Sequence, residues 1–551
     1  MNRIQRESFI SAKSKLDGHT VAGWMFDRRW RCVSLLVLSA HIVLVIRHGA
    51  MVGPTVDEPG HLAAGVHYWA TGDFSLYCVN PPLVKLWGTI PAFLMAEKQP
   101  RIEISGAFRP EWPIGHAFFK DNVNSLWYLR MARWLNLPFS ILAAIVIAKW
   151  ARRMGGEAAS TTAMSLWCLS PTVIGHASLF TMDVPAAGMG VIALLGLDRW
   201  LEREPGFGTL QTGLLVGLAL LTKLTWMILV VVILAIIIFR QLMSQLDKKR
   251  IASVGLLCVT AWVVLNSGYL WSGVFLPMHS VSDMLDGNQF GYLYAIPVPL
   301  AHDFVVGALQ QRHDLLHAQL DFSIWNYPVL IAMKTPIGTW LLILFSCLGL
   351  AKRCGRCEWQ RVARANPVLL LSSGLLVLAI SRSTICEIRY LLPLFPAGAI
   401  LLVTITLRAW PQAHTTIFLT AIALNVTELA SSFPYHLGFF NLAVGGPMNT
   451  NHDFSGGNVD WGQDIPQLDE WARSTQPRPI AVACISGLPM ASERYVDVSE
   501  SMPEDWDELS VFVVSTTFLH SDGWRLAGRH HGRPTRRIGS SLFVFTREVL
   551  P

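Results

Sequence analysis

Charged residues are scarce in this chain. Only 15% of its 551 residues are Asp, Glu, Lys or Arg, while 52% are hydrophobic; soluble domains carry roughly a quarter charged residues. So little polar surface cannot cover so much apolar mass, which excludes a soluble enzyme, a secreted disulfide scaffold and a disordered regulator. The chain has neither a Walker A motif nor a dinucleotide fingerprint, so its driving force is not read as a nucleotide held by this chain. Cysteine is ordinary in number, 9 in all, and most lie in apolar runs where the thiol acts as a small hydrophobe. Cys354 and Cys357 form a CxxC without a second pair, which reads as a basic loop rather than a zinc site. No internal repeat or low-complexity linker is apparent. What the chain does have is long uncharged runs, such as Ser34 to Ile46 and Trp226 to Phe239, and a mean hydropathy of +0.40. These mark a multi-span membrane protein.

The net charge of +6 hides an asymmetry, because residues 431–551 hold 9 Arg, no Lys and 14 acids. Basic clusters in membrane proteins mark cytoplasmic loops; no nucleic-acid partner is expected. The first 31 residues carry 7 Lys/Arg against 3 acids and read as a cytoplasmic segment before an uncleaved anchor. With a requirement of about 20 residues per span, spans fall near 32–52, 126–148, 160–178, 184–200, 251–270, 330–351 and 413–430. Two more flank an outer turn, Ser381 to Tyr390. The stretch 208–239 reads as two short spans with Lys223 at their outer turn, because one span would put Lys248, Lys249 and Arg250 outside. The total is about eleven, with outer loops near 53–125 and 271–326. The expected architecture is a polytopic α-helical membrane domain over 32–430 and a small extracytoplasmic α/β domain over 431–551. In that tail Gln463 to Arg473 has helical spacing, and Pro479–Ile485, Ser510–Ser515 and Ser541–Thr546 are β-rich.

This topology gathers charge at the outer helix ends: Asp57, Glu58, Asp183, Lys223, Lys334 and Arg389. Ionisable groups at membrane depth are functional candidates. Carboxylates can deprotonate a hydroxyl nucleophile, and Lys or Arg can hold a phosphate leaving group. Structural readings stand beside this one. Thr55-x-x-Glu58 is a capping-box pattern, Asp183 before Pro185 suits a helix N-cap, and the three cations could snorkel to the interface. His61 and His67 follow the acidic pair. His313 and His317, spaced i,i+4, could share a divalent metal or lie on an interfacial helix. Asp505-Trp506-Asp507 resembles a metal-binding DxD but reads as an acidic surface turn. Trp461, Trp471, Trp506 and Trp524 could stack on sugars or pack in a core.

Thr55-Val-Asp-Glu-Pro, Gly72-Asp73 and Asn80-Pro-Pro-Leu83 together resemble the first outer loop of the GT-C glycosyltransferases. The family-39-like members, protein O-mannosyltransferases and bacterial aminoarabinose lipid A transferases, are the nearest in pattern. Thr181-Met-Asp-Val-Pro185, Leu220-Leu-Thr-Lys223, Lys334-Thr-Pro336 and Arg389-Tyr-Leu-Leu-Pro393 follow in order. In the tail, Phe440-Asn441, Gly445-Gly-Pro447 and Asn458-Val-Asp-Trp-Gly-Gln-Asp464 extend the resemblance to roughly residues 33–475. It implies a polyprenyl-phosphate-linked hexose or pentose as donor. The acceptor would be a protein, lipid or glycan hydroxyl outside the plasma (inner) membrane, and transfer would invert the anomeric carbon. By carry-over Asp57 is the general base supported by Glu58, Asp183 orients acceptor or base, and Lys223 and Arg389 stabilise the departing phosphate. His61, Lys85, Lys334 and Tyr390 complete the expected substrate-binding set. One departure concerns the donor phosphate. Relatives often carry Lys just before the double proline, where this chain has Asn80, and Lys85 is the nearest substitute. An inactive assembly partner and a polar-lipid transporter are the alternative readings.

Overall fold

The computed structural model describes residues 21–102, 109–202, 207–242, 248–277, 296–317, 325–352, 366–381, 385–448, 456–475, 479–490, 494–499, 511–519 and 533–546. Cys354 with Cys357, Asp505 to Asp507, Trp524 and the side chain of His317 lie outside them. Helix α1 (Val21–Met51) is followed by three shorter helices, α2 (Asp57–Thr71), α3 (Leu83–Met95) and α4 (Glu111–Asp121). Helix α5 (Ser125–Cys168) breaks at Gly155 and Gly156, whose backbone angles are not helical; Gly156 has φ +74°, a conformation that suits a residue without Cβ. After α6 (Pro171–Ala177) come α7 (Asp183–Glu202), α8 (Phe207–Leu220), α9 (Ile228–Leu242) and α10 (Lys248–Gly268). Helices α11 (His302–His317), α12 (Asn326–Lys334), α13 (Ile337–Lys352), α14 (Pro367–Ile380), α15 (Phe395–Ala409) and α16 (His414–Ser431) complete the helical body.

Among the described residues, six helices are long and apolar enough to cross a membrane, or up to seven if the bent pair α12–α13 is one span. Many carry large apolar side chains outward: Leu36 is 70% exposed, Phe239 63% and Val259 55%. Outward apolar rows on helices with internally satisfied backbones are the surface a bilayer solvates. This is a polytopic helical membrane protein.

The basic residues collect at one end of the bundle. Arg31 and Arg152 both pair with Glu157, Arg153 with Asp198 and Glu202, and Arg240 and Arg250 donate to the carbonyls of Leu201 and Trp200. These residues lie in the N-terminal part of α1, at the break in α5, at the C-terminal ends of α7 and α9 and at the start of α10, which are thereby joined at one face.

The tail contains α17 (Ile465–Thr475), α18 (Thr516–Leu519) and a five-stranded sheet of order β2-β1-β3-β5-β4. Strands β1 (Ile480–Ala483), β3 (Val511–Ser515) and β5 (Leu542–Thr546) fall inside the three β-rich runs, and β2 (Tyr495–Asp497) and β4 (Arg536–Ile538) add the edges. Strand β1 pairs in parallel with β2 and β3, and β5 runs antiparallel to β3 and β4. Alternation sends Ile480, Val482, Val511 and Val513 to the face packed with Leu468 and Trp471 of α17. Ala481, Ala483, Phe512 and Val514 face the other way, towards Phe518.

Close packing within the body depends on particular glycines. A Cβ on Gly190 of α7 would stand 1.6 Å from the Trp226 ring, and that ring is fully buried with its Nε1–H donating to the Ala186 carbonyl at 2.8 Å. The ring has nowhere to go. Gly190→Ala is expected to cost about 1–3 kcal/mol or more, read as a lower thermal midpoint of the purified protein in detergent.

Candidate active site

The first two residues of α2, Asp57 and Glu58, begin the site, and the second anchors the first. Glu58 is completely buried and pairs with buried Arg133 of α5, Oε2 to Nη2 at 2.6 Å and Oε1 to Nε at 2.7 Å. The same carboxylate accepts from the backbone N–H groups of Thr55 (2.9 Å) and Phe180 (2.7 Å) and from the Thr55 hydroxyl. The bond from Thr55 N–H to Glu58 is one half of the capping box that the sequence pattern suggested. Arg133 also donates to the carbonyls of Gly49, Val52 and Gly53, groups at or just past the end of α1 that lack helical donors. The pair thus ties the end of α1 to the start of α2, with Asp57 next in the chain.

Asp57 lines a cavity of about 230 Å³ together with His61, Asp183, Lys223, Arg389 and Tyr390. Six of the nine residues expected at the site therefore meet in one place. Arg389 Nη1 donates to Asp57 Oδ2 at 3.0 Å, and Lys223 Nζ to Asp183 Oδ1 at 2.5 Å. Asp183 opens α7; Asn136 of α5 steadies the approach to it by donating to the Leu179 and Thr181 carbonyls. Lys223 lies in the break between α8 and the short helical turn Leu224–Met227, so its side chain leaves the bundle where the backbone is already interrupted. Tyr390 lies beneath both cations, 5.1 Å from Lys223 Nζ and 5.3 Å from Arg389 Cζ, an arrangement that the ring quadrupole favours.

The other three lie outside the cavity wall. Glu58 is committed to Arg133 as above. Lys85 Nζ donates to the carbonyls of Tyr77 and Asn80, both at 2.6 Å, over the Tyr68 and Tyr77 rings; burial pulls its ammonium down to about 7. It staples the turn before the double proline, leaving Asn80 itself at the cavity. Lys334 donates to the carbonyls of Leu437 and Asn458 beneath the Phe440 ring.

Residues that sequence reasoning passed over, Arg109, Trp112 and Asp314, add to the wall, and others stand behind it with Trp461. Arg109 pairs with Glu111 at 2.5 Å and Asp314 at 2.9 Å and stacks near Tyr77 and Trp112; burial pushes the Glu111 carboxyl up, against the pull of Arg109. Glu387 accepts from Arg389 Nε, and Trp461 of the tail lies 4.4 Å from the Arg389 guanidinium. The one signal available for Arg133 was its place inside a predicted span. Among the described residues no group of three or more His, Cys, Asp or Glu side chains is disposed to hold a metal ion.

His61 stacks on Tyr77 at 4.6 Å with planes 9° apart, and its Nδ1 is buried without a partner. Burial, reinforced by Lys85, holds its pKa well below the usual 6.5, so the folded ring is neutral.

Residues 123–269 match the model of the dolichyl-phosphate-mannose-protein mannosyltransferase family, which bears out the resemblance seen in the sequence. No curated protein matches the chain. Among solved structures, ArnT from Cupriavidus metallidurans bound to undecaprenyl phosphate is 13% identical. That match covers 96% of this chain and 99% of that one, with a TM-score of 0.46. The oligosaccharyltransferase AglB from Archaeoglobus fulgidus, in complex with an inhibitory peptide and a dolichol-phosphate, is also 13% identical. It covers 94% of this chain and 75% of that one, again with a TM-score of 0.46. Likeness at this level is too distant to carry an argument about function.

Two predictions follow from the buried groups. Glu58→Gln leaves Arg133 charged and uncompensated, a loss of about 3–5 kcal/mol, so it is expected to collapse the thermal midpoint before any question of activity arises. The second concerns pH. The unfolded chain's His61 takes up a proton below 6.5 while the folded ring does not, so stability falls as pH drops through that value. His61→Gln should flatten the decline of thermal midpoint between pH 7 and 5; an unchanged slope would contradict a neutral buried ring.

Proposed function

We propose that this protein transfers a sugar from a polyprenyl-phosphate donor to an acceptor hydroxyl on the extracytoplasmic face of the plasma (inner) membrane. One observation carries the reading: two carboxylate–cation pairs, Asp57–Arg389 and Asp183–Lys223, converge on a single cavity. The family match over residues 123–269 points to the same chemistry.

In this reading the acceptor oxygen attacks the anomeric carbon, the bond from that carbon to the phosphate oxygen breaks, and the polyprenyl phosphate leaves with inversion. Asp57 takes the hydroxyl proton. Arg389 and Lys223 stabilise the charge on the departing phosphate in a partly dry site, where fixed cations act most strongly. Arg389 has a double duty. While it pairs with Asp57 it occupies one oxygen of that carboxylate. A phosphate that draws the guanidinium towards itself frees that oxygen to take the hydroxyl proton when the donor is in place. Asp183 holds Lys223 and orients the acceptor. Glu58 supports Asp57 through the backbone rather than by proton transfer.

Topology fits this assignment. The eleven spans are proposed to be built on α1, the two halves of α5, α7 to α10 and α13 to α16; among the described residues six helices, or seven with the bent pair α12–α13, are long and apolar enough to cross by themselves. The basic end joined by Arg31, Arg152, Arg153, Arg240 and Arg250 is assigned to the cytoplasm by the positive-inside rule. The cavity and the tail, as an α/β domain over 431–551, are assigned to the outside.

The test uses membranes with wild type or Asp57→Asn, matched for expression and thermal midpoint, supplied with radiolabelled polyprenyl-phosphate sugars. Wild type should move label into product, and the Asn variant should lose at least a hundredfold of that rate, the lower range of general-base contributions at roughly 10²–10⁴. Equal transfer by both would sink the assignment of Asp57.

A further inference from the structure

Among the described residues, the tail segment Gly456 to Gln463 packs on Arg389 and bonds to the backbone just before Asp57. On the Arg389 side, Gly457 N–H donates to Glu387 Oε1 at 3.1 Å. Asn458 Nδ2 donates to the Cys386 carbonyl at 2.8 Å, and Ile388 N–H donates back to Asn458 Oδ1 at 2.9 Å. Asn458 thus mimics a backbone pairing with the strand-like stretch that leads into Arg389. On the Asp57 side, Val56 N–H donates to the Trp461 carbonyl at 3.2 Å and Gly53 N–H to the Gln463 carbonyl at 2.9 Å. Between them stands the Trp461 ring, 5% exposed, packed with Val52, Val56, Leu179 and Leu437 and lying over Arg389.

The segment is itself held from behind. Asp464 accepts from the N–H and hydroxyl groups of both Ser540 and Ser541 at 2.7–3.1 Å, and Gly456 N–H donates to Thr517 Oγ1 at 3.2 Å. Gln463 closes it internally, accepting from Trp461 N–H and donating to the Val459 carbonyl, each at 2.7 Å. A Cβ on Gly457 would meet Glu387 Oε1 at 3.0 Å, tight enough that the carboxylate would have to shift.

We propose that this tail segment is part of the site. Trp461 and Gly457, the latter acting through Glu387, are positioning residues that set Arg389 against Asp57 and towards the donor phosphate. The guanidinium has Nε committed to Glu387, Nη1 to Asp57, and one face to Trp461. Its planar fork is oriented by these three constraints together with the Tyr390 ring, and the tail provides or holds two of the three. The tail is then a splint across the ion pair, joining two residues 332 positions apart in sequence. The part concerning the donor rests on the transferase reading above; the part concerning the geometry of Arg389 does not.

Two measurements on Trp461→Ala, Trp461→Phe and Glu387→Gln, each first matched to wild type by thermal midpoint, separate these parts. The first is the rate of phenylglyoxal modification at Arg389, followed by peptide mass spectrometry of the purified full chain. Losing the ring or the carboxylate should raise that rate several-fold, while Phe, which keeps a π face, should stay close to wild type. Equal rates in wild type, Trp461→Ala and Glu387→Gln overturn the proposal, whatever the protein's activity. The second is transfer from radiolabelled polyprenyl-phosphate sugar in membranes. Trp461→Ala should raise the donor KM about tenfold, the size of one well-placed cation–π contact, with a smaller change in rate at saturating donor and rescue by Phe. An unchanged donor KM, or an equal loss with Phe, removes the link to the donor. Absence of transfer by wild type from every donor counts against the transferase reading and leaves the modification rates to decide the splint. Should Trp461→Ala not fold, Glu387→Gln carries both measurements.

Discussion

The buried Glu58–Arg133 pair is the constraint on which the rest of the site depends. A charge pair this deep is expensive to desolvate, and it repays that only when every lone pair and N–H finds a partner. Here they do: between them the two side chains engage the start of α2, the loop before α7, and three carbonyls at the end of α1. Three stretches of chain that are distant in sequence, residues 49–58, Arg133 and Phe180, are thereby locked to one another within hydrogen-bond tolerance. Asp57 adjoins this node on one side and Asp183 lies three residues beyond it on another, so both carboxylates inherit its rigidity. A pair placed on solvent-exposed loops would confer no such register, because screening and side-chain entropy would dissolve it.

Charge in the cavity is arranged by the same rule, but less completely. Asp57, Asp183, Arg389 and Lys223 are paired, which keeps the site stable without a ligand, yet each pair borders open volume. An anion entering the cavity can therefore compete for the cations without first breaking a fully satisfied network. The contrast between Glu58, which accepts four kinds of donor, and Asp57, with its bond to Arg389, separates the strut from the proposed base more clearly than their adjacency in sequence does.

Much of this was legible from the chain. Asp57, Asp183, Lys223 and Arg389 stand at ends or interruptions of apolar runs, and hydropathy together with the positive-inside rule put those ends on one expected face. Enrichment in β-forming residues likewise exposed β1, β3 and β5. What remained hidden has a common physical cause. Lys85 and Lys334 spend their charge on backbone carbonyls, and any residue can supply a carbonyl, so no side-chain pattern marks the partner. Edge strands β2 and β4 are three residues long, too short for alternation to register. Arg133 did carry a signal, an arginine within an apolar span, and its meaning depended on knowing that α1 ends beside it.

The chain's organisation follows from where polar partners are available. Helix ends at a membrane face leave carbonyls and N–H groups that no lipid can satisfy. In this protein they are met by Arg133, by Glu58, by Lys334 and by the tail segment around Asn458. The tail is thus more than an appended domain beside a membrane body. Its Gly456–Gln463 stretch supplies hydrogen bonds to the loops before Asp57 and Arg389, and its sheet anchors that stretch through Asp464. Removing the tail would leave those loops with unmet backbone groups at the most sensitive point of the cavity. A site built at the junction of two units in this way gains rigidity from both, and its geometry exists only when they are joined.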